Sequence, residues 1–130
     1  MLATTIRQGE LLLLAGLDPK TADMKYVHRV DGTILIPQQP LIDSKIQLPL
    51  LSNEEPAWSL DALVEVMCFK EQIDVVFFRS PSVGWICSWR LFDDSVRKDL
   101  NRVAESKIEA AFLVLYYLLS HGYIKGAENG

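Results

Sequence analysis

Cysteine is scarce in this 130-residue chain, which has only Cys68 and Cys87. One pair is no disulfide framework for a domain of this size. Both lie inside apolar segments and are expected as buried, reduced thiols of a cytoplasmic protein. Histidine is as rare, at positions 28 and 121. These four positions share no paired spacing, whereas a zinc site needs about four ligands. The seven glycines are scattered and build no phosphate-cradling loop, and G-x-S-x-G, H-E-x-x-H and C-x-x-C are all missing. Neither metal nor cofactor is expected, and no catalytic residue is assigned.

Positive charge is also short. Thirteen Lys and Arg stand against seventeen Asp and Glu, for a net charge of −4. That argues against nucleic acid as a partner, because phosphate-backbone binding needs clustered cations. Arg97, Lys98, Arg102 and Lys107 are a candidate basic patch, but Asp94, Asp99 and Glu105 interrupt them, so a mixed, solvated helix face is the preferred reading. Long apolar runs are missing too. Leu11–Leu14 is too short for a signal peptide core, Glu10 interrupts it, and no basic start precedes it. No run approaches the roughly 20 residues that span a bilayer, so a soluble protein without membrane contact is expected.

What remains is an ordinary globular composition, 49% hydrophobic and 23% charged. It suits one domain over 1–124, with 125–130 as a disordered tail. The longest apolar segment is SKIEAAFLVLYYLLSHG, Ser106–Gly122. Ser106 and Glu109 form an S-x-x-E capping box, and Gly122 supplies a left-handed stop. A helix apolar nearly all round must be covered on more than one side.

Before it, the pattern predicts a first helix over 4–16, with Gly9 weakening it. A hairpin follows, with Asp31-Gly32 as the two turn residues between Tyr26–Val30 and Thr33–Ile36. Residues 37–58 carry Pro37, Pro40, Pro49 and Pro56 among apolar side chains. They are expected as an arm lying across the domain, with a short edge strand at Lys45–Leu48, or alternatively as an arm that docks on a partner. Ser59 caps a second helix. Asp74–Arg79 and Trp85–Phe92 read as strands joined by Ser80–Gly84. Period-two alternation puts Trp85, Cys87 and Trp89 on one apolar face, which belongs on a helix layer. Asp93–Glu105 has Val96, Leu100 and Val103 at helical spacing and is expected as an amphipathic helix. The fold class is therefore α+β: a small antiparallel sheet packed against helices, an α-β-β-α core over 59–122, with an N-terminal helix and hairpin.

Residues 58–122 run W-S-L-D-A-L-V-E-V-M, then a hairpin with G-W-I-C-S-W-R, then S-K-I-E-A-A-F-L-V-L-Y-Y-L-L. This order resembles small phage and prophage proteins of the phage ABA-sandwich type. The resemblance covers about half the chain and implies an α/β sandwich of mobile-element origin. The N-terminal hairpin and the Pro-rich arm depart from that compact pattern, and the resemblance carries no catalytic residues.

Other candidates have simpler readings. His121 at a helix C-terminus suits a capping role. Asp93-Asp94 reads as a solvated turn, and Asp61 with Glu65 as an exposed acidic helix face. The binding candidates are Arg79, Trp85, Trp89 and Arg90, residue types enriched at interface hot spots and gathered in one hairpin. The opposing reading puts both tryptophans in the core and both arginines at strand ends. The favoured function is a non-enzymatic accessory protein that occludes or bridges a host or phage protein. The alternatives are a nucleotide-like small-ligand binder, with a pocket lined by Trp85 or Trp89 and an inward arginine, and a structural subunit of a homo-oligomer. Self-association through 107–121 is expected, because that helix has more apolar surface than two strands can cover.

Overall fold

The computed structural model describes residues 2–38, 50–69, 71–92 and 97–124, with positions 97 and 98 as backbone alone. Among these are three α-helices and two three-stranded antiparallel sheets, an α+β architecture.

Helix α1 (Ile6–Leu14) starts at Thr5. The Thr5 hydroxyl accepts the Gln8 N–H, and the Gln8 side chain accepts the Thr5 N–H. This reciprocal box satisfies two of the free donors at the helix start. Gly9 is buried, and a Cβ there would stand 3.0 Å from the Pro56 carbonyl oxygen. The residue that weakens the helix lets it lie against the strand carrying Pro56.

The first sheet has the order β2-β1-β3, built from β1 (Met24–Arg29), β2 (Gly32–Pro37) and β3 (Glu54–Ala57). The β1–β2 hairpin forms as expected, but its closing pair is Arg29↔Gly32, so Val30 and Asp31 make the turn. This corrects the Asp31-Gly32 assignment by one residue. A slip of one residue would turn every side chain to the opposite face, and the observed register is the one that buries Val27 and aims the His28 N–H at the Asn53 carbonyl, 2.8 Å away. The end of the expected arm is itself strand β3. Since even-numbered β1 residues direct their amides toward β3, the pairs Met24↔Pro37 and Lys25↔Pro56 fall where the β2 and β3 partner faces outward. Neither proline is asked for a ladder donor, which is how both sit in edge strands. The strand expected at Lys45–Leu48 and the tail 125–130 lie outside the described residues.

Helix α2 (Leu60–Met67) is capped by Ser59, whose hydroxyl accepts the Ala62 N–H. Asp23 steadies the cap. Its carboxylate accepts the Ser59 N–H at 2.9 Å and also bonds the Ser59 hydroxyl.

The second sheet is the meander β4 (Ile73–Ser80), β5 (Gly84–Phe92) and β6 (Arg97–Ala104), with β5 central. Strand β6 replaces the amphipathic helix expected over Asp93–Glu105, and the core over 59–122 is α-β-β-β-α. The helical spacing of Leu100 and Val103 is outweighed by pairing. Cys87, Ser88 and Trp89 of β5 are buried, so the backbone polar groups along the second edge of β5 need a partner strand. In this register Leu100 faces Trp89 and Arg102 faces Cys87. Gly84 holds the β4–β5 loop against the end of β6. It has φ +101°, and a Cβ would meet the Ala104 carbonyl oxygen at 2.6 Å.

Helix α3 (Lys107–Ser120) crosses the inner face of this sheet. The Ser106 hydroxyl accepts the Glu109 N–H and donates to the Glu109 carboxylate. At the other end Gly122 has φ +73°, and the Tyr123 N–H reaches back to the Leu118 carbonyl at 2.9 Å. The helix is covered on two sides, by β5 and β6 on one and by α1 and α2 on the other. The apolar girth that pointed to a second copy is met inside the chain. One cluster joins Leu12 of α1, Trp58, Leu63 and Met67 around α2, Cys87 and Trp89 of β5, and Phe112, Leu115 and Leu118 of α3.

Candidate functional site

The alternation of β5 sorts the four hairpin candidates. Trp85 and Trp89 point to the helix side, and Arg90 to the other. Trp89 is 2% exposed, and its indole N–H donates to the Met67 carbonyl at the end of α2, 3.1 Å away. It is a core residue with a satisfied polar atom and offers no surface. Arg90 stands on the outer face in the row Asp74↔Arg90↔Asp99, an arginine between two acids on neighbouring strands. The row Phe78↔Ile86↔Val103 lies on the same face, with Phe78 45% and Val103 44% exposed. The described helices pack on the opposite side.

Arg79 and Trp85 do come together. They are a cross-strand pair, and the Arg79 guanidinium carbon lies 5.6 Å from the indole centroid. A residue outside the hairpin joins them. Lys107, in the first turn of α3, places its Nζ 4.5 Å from the same ring. Two cations thus rest on one half-buried indole, a favourable arrangement with the ring quadrupole. Next to this corner, Val83 at the tip of the β4–β5 loop is exposed. Lys107 was legible only as one member of a loose basic patch. Its pairing with Trp85 depends on β6 being a strand, which carries the chain back to the β4–β5 loop. Arg102 of that patch lies 4.6 Å from the Tyr117 ring, and Tyr117 in turn stacks on His121. The side chains of Arg97 and Lys98, and the Asp93-Asp94 pair, lie outside the described residues.

A shallow cleft of about 350 Å³ sits beside the corner, lined by Leu2, Ser59, Leu60, Asp61, Ser106, Lys107 and Ile108. The starts of α2 and α3 meet there. Neither Trp85 nor Trp89 lines it, so it lacks the stacking ring that the nucleotide-like alternative calls for. Asp61 and Glu65 are exposed, and no group of three metal-ligating side chains occurs among the described residues.

The thiols differ from each other. Cys87 is buried, and burial pushes its pKa up to about 12, with Cys68 nearby adding to the effect. Cys68, expected as buried, is exposed as the C-cap of α2, one residue past the buried Met67 that ends the helix. Its pKa is also raised, first by partial burial and then by Asp74. Neither thiol is poised as a nucleophile. His121 caps α3 as expected, with Nδ1 3.0 Å from the Tyr117 carbonyl oxygen.

Sequence reasoning missed one constellation. Thr33 of β2, His28 of β1 and Glu55 of β3 lie across the first sheet. The Thr33 hydroxyl is 2.9 Å from His28 Nδ1, and His28 Nε2 bonds a Glu55 carboxylate oxygen. The signal was the hairpin itself, which makes His28 and Thr33 opposite neighbours. Glu55 was not readable, because β3 lay in what read as an arm.

No family model, curated protein or solved structure matches this chain.

Proposed function

We propose that this chain is a non-enzymatic binding protein that occludes or bridges a protein partner through the corner formed by Arg79, Trp85 and Lys107. One observation carries the reading: two cations share a half-buried indole at an exposed end of the sheet, beside the exposed Val83. Tryptophan and arginine are enriched among the residues that dominate binding energetics. The paired cations select an acidic partner surface, through steering and charge complementarity. The resemblance of residues 58–122 to phage ABA-sandwich proteins supports an accessory role in a phage or other mobile element, with a host or phage protein as the target.

Affinity capture with wild-type protein and with the Arg79→Ala/Lys107→Ala double variant tests this. A partner retained by the wild type and lost by the double variant is the expected result. If the double variant, still folded, captures every partner the wild type does, the corner is not the binding site.

A further inference from the structure

We propose that Thr33 is an activated hydroxyl, a site at which this protein is acylated by small activated carboxylic esters. The inference rests on the first sheet alone and is independent of the Arg79–Trp85–Lys107 corner.

Its basis is the line of three groups from β2 to β3. Glu55 is a carboxylate and only accepts, so His28 bears its proton on Nε2 and donates it to Glu55. Nδ1 of the neutral ring is then an acceptor, and the Thr33 hydroxyl 2.9 Å away donates to it. A hydroxyl held on the free nitrogen of an imidazole that a carboxylate orients has the arrangement that activates serine nucleophiles, here with threonine and with the two ring nitrogens exchanged. Five other described hydroxyls are committed differently. Thr4 and Thr5 accept backbone N–H groups, Thr21 accepts the Trp58 indole N–H, and Ser59 and Ser106 cap helices.

The site is open to a reagent. Thr33 is exposed, and the side chains of His28 and Glu55 are 40% and 33% exposed. The backbone supplies one more group. His28 turns its N–H toward β3, so Thr33 opposite it turns its own N–H away from β1, toward the outer edge of β2. That donor lies beside the attacking oxygen and can bond the oxyanion of a tetrahedral intermediate. With a single such N–H, and no cleft among the described residues that Thr33 lines, the acyl ester must carry a good leaving group. In the step, Thr33 Oγ1 bonds to the acyl carbon and the ester C–O bond breaks. The hydroxyl proton passes to His28 Nδ1 and then to the departing oxygen. The products are an acylated Thr33 and the free alcohol or phenol.

p-Nitrophenyl acetate is the probe, with peptide mass spectrometry to locate each acetyl group. The wild type is expected to gain one acetyl on Thr33. Thr33→Ser keeps the reaction, Thr33→Val loses it, and His28→Gln slows it at least tenfold. Carbethoxylation of His28 in the folded wild type gives the same comparison if His28→Gln does not fold. Glu55 acts as a positioning residue: Glu55→Ala is expected to move His28 from the Nε2–H tautomer to a mixture, read by ¹⁵N NMR. No acetyl on wild-type Thr33, or an equal rate once His28 is replaced or blocked, overturns the proposal.

Discussion

Thr4 and Trp58, 54 positions apart, clasp each other through two hydrogen bonds. The Thr4 N–H donates to the Trp58 carbonyl at 2.9 Å, and the Trp58 N–H donates to the Thr4 hydroxyl at 3.1 Å. Both residues are fully buried. The clasp ties the N-terminal segment to the end of β3, just ahead of the α2 cap. Thr4→Val preserves shape but leaves the Trp58 N–H buried without its acceptor. The expected cost is about 1–3 kcal/mol, measured by urea denaturation.

Trp89 is a second buried donor. Trp89→Phe removes the indole N–H that Met67 accepts and leaves a void beside α2. A loss of about 2–4 kcal/mol is expected from the cavity and the orphaned carbonyl together. Binding through the Arg79–Trp85–Lys107 corner should be unchanged in the folded fraction.

Gly84→Ala should be among the most damaging single-methyl changes in the molecule. It puts a side chain at φ +101° and drives a Cβ to 2.6 Å from a backbone oxygen that has little room to move. A drop in thermal midpoint of several degrees, about 2 kcal/mol or more, is expected by calorimetry.

The thiols should separate kinetically. Cys68 is exposed, whereas Cys87 is buried with its pKa near 12. A disulfide reagent at neutral pH is expected to titrate one thiol in the native protein and two after denaturation. Two fast-reacting native thiols would contradict the burial of Cys87.

Glu54 gives a pH dependence with a definite sign. The Leu51 N–H, and then Lys25 at 3.0 Å, hold its carboxyl below the ordinary value of 4.5. The folded state therefore binds this proton less tightly than the unfolded chain. The contribution to stability is complete above pH 4.5 and is lost as pH falls through the lower, folded value. Glu54→Gln should flatten this part of the acid limb, measured as thermal midpoints in an acid pH series.

Signals confined to a few neighbouring residues were legible in the sequence. Ser59, Ser106 and Gly122 mark helix ends because capping depends on atoms within one turn. Trp85, Cys87 and Trp89 share a face because a strand alternates whatever lies beyond it. The misread segments depend on distant partners. RKDLNRVA is a strand because β5 needs a second neighbour, and its own composition does not demand it. EEPA is a strand because β1 lies nearly thirty residues upstream, with a proline placed where its missing N–H does no harm. The corner with Lys107 and the Thr33–His28–Glu55 line both depend on such long-range pairings. Arg79 and Trp85, joined by one short loop, were within reach of the alternation rule.

The central position of β5 also bears on how the chain assembles. Residues 73–120 form a meander closed by a helix, each element paired with or packed on one close to it in sequence. Closing such short loops costs little chain entropy. The β1–β3 pairing must instead span the whole segment between them. The C-terminal half is thus built to form first and to offer α3 as a template. The N-terminal half then adds as a later cooperative unit, locked by the Thr4–Trp58 clasp. Amides in the middle of β5, bonded on both sides, should be the last to exchange with solvent deuterium, and those of the first sheet should open earlier.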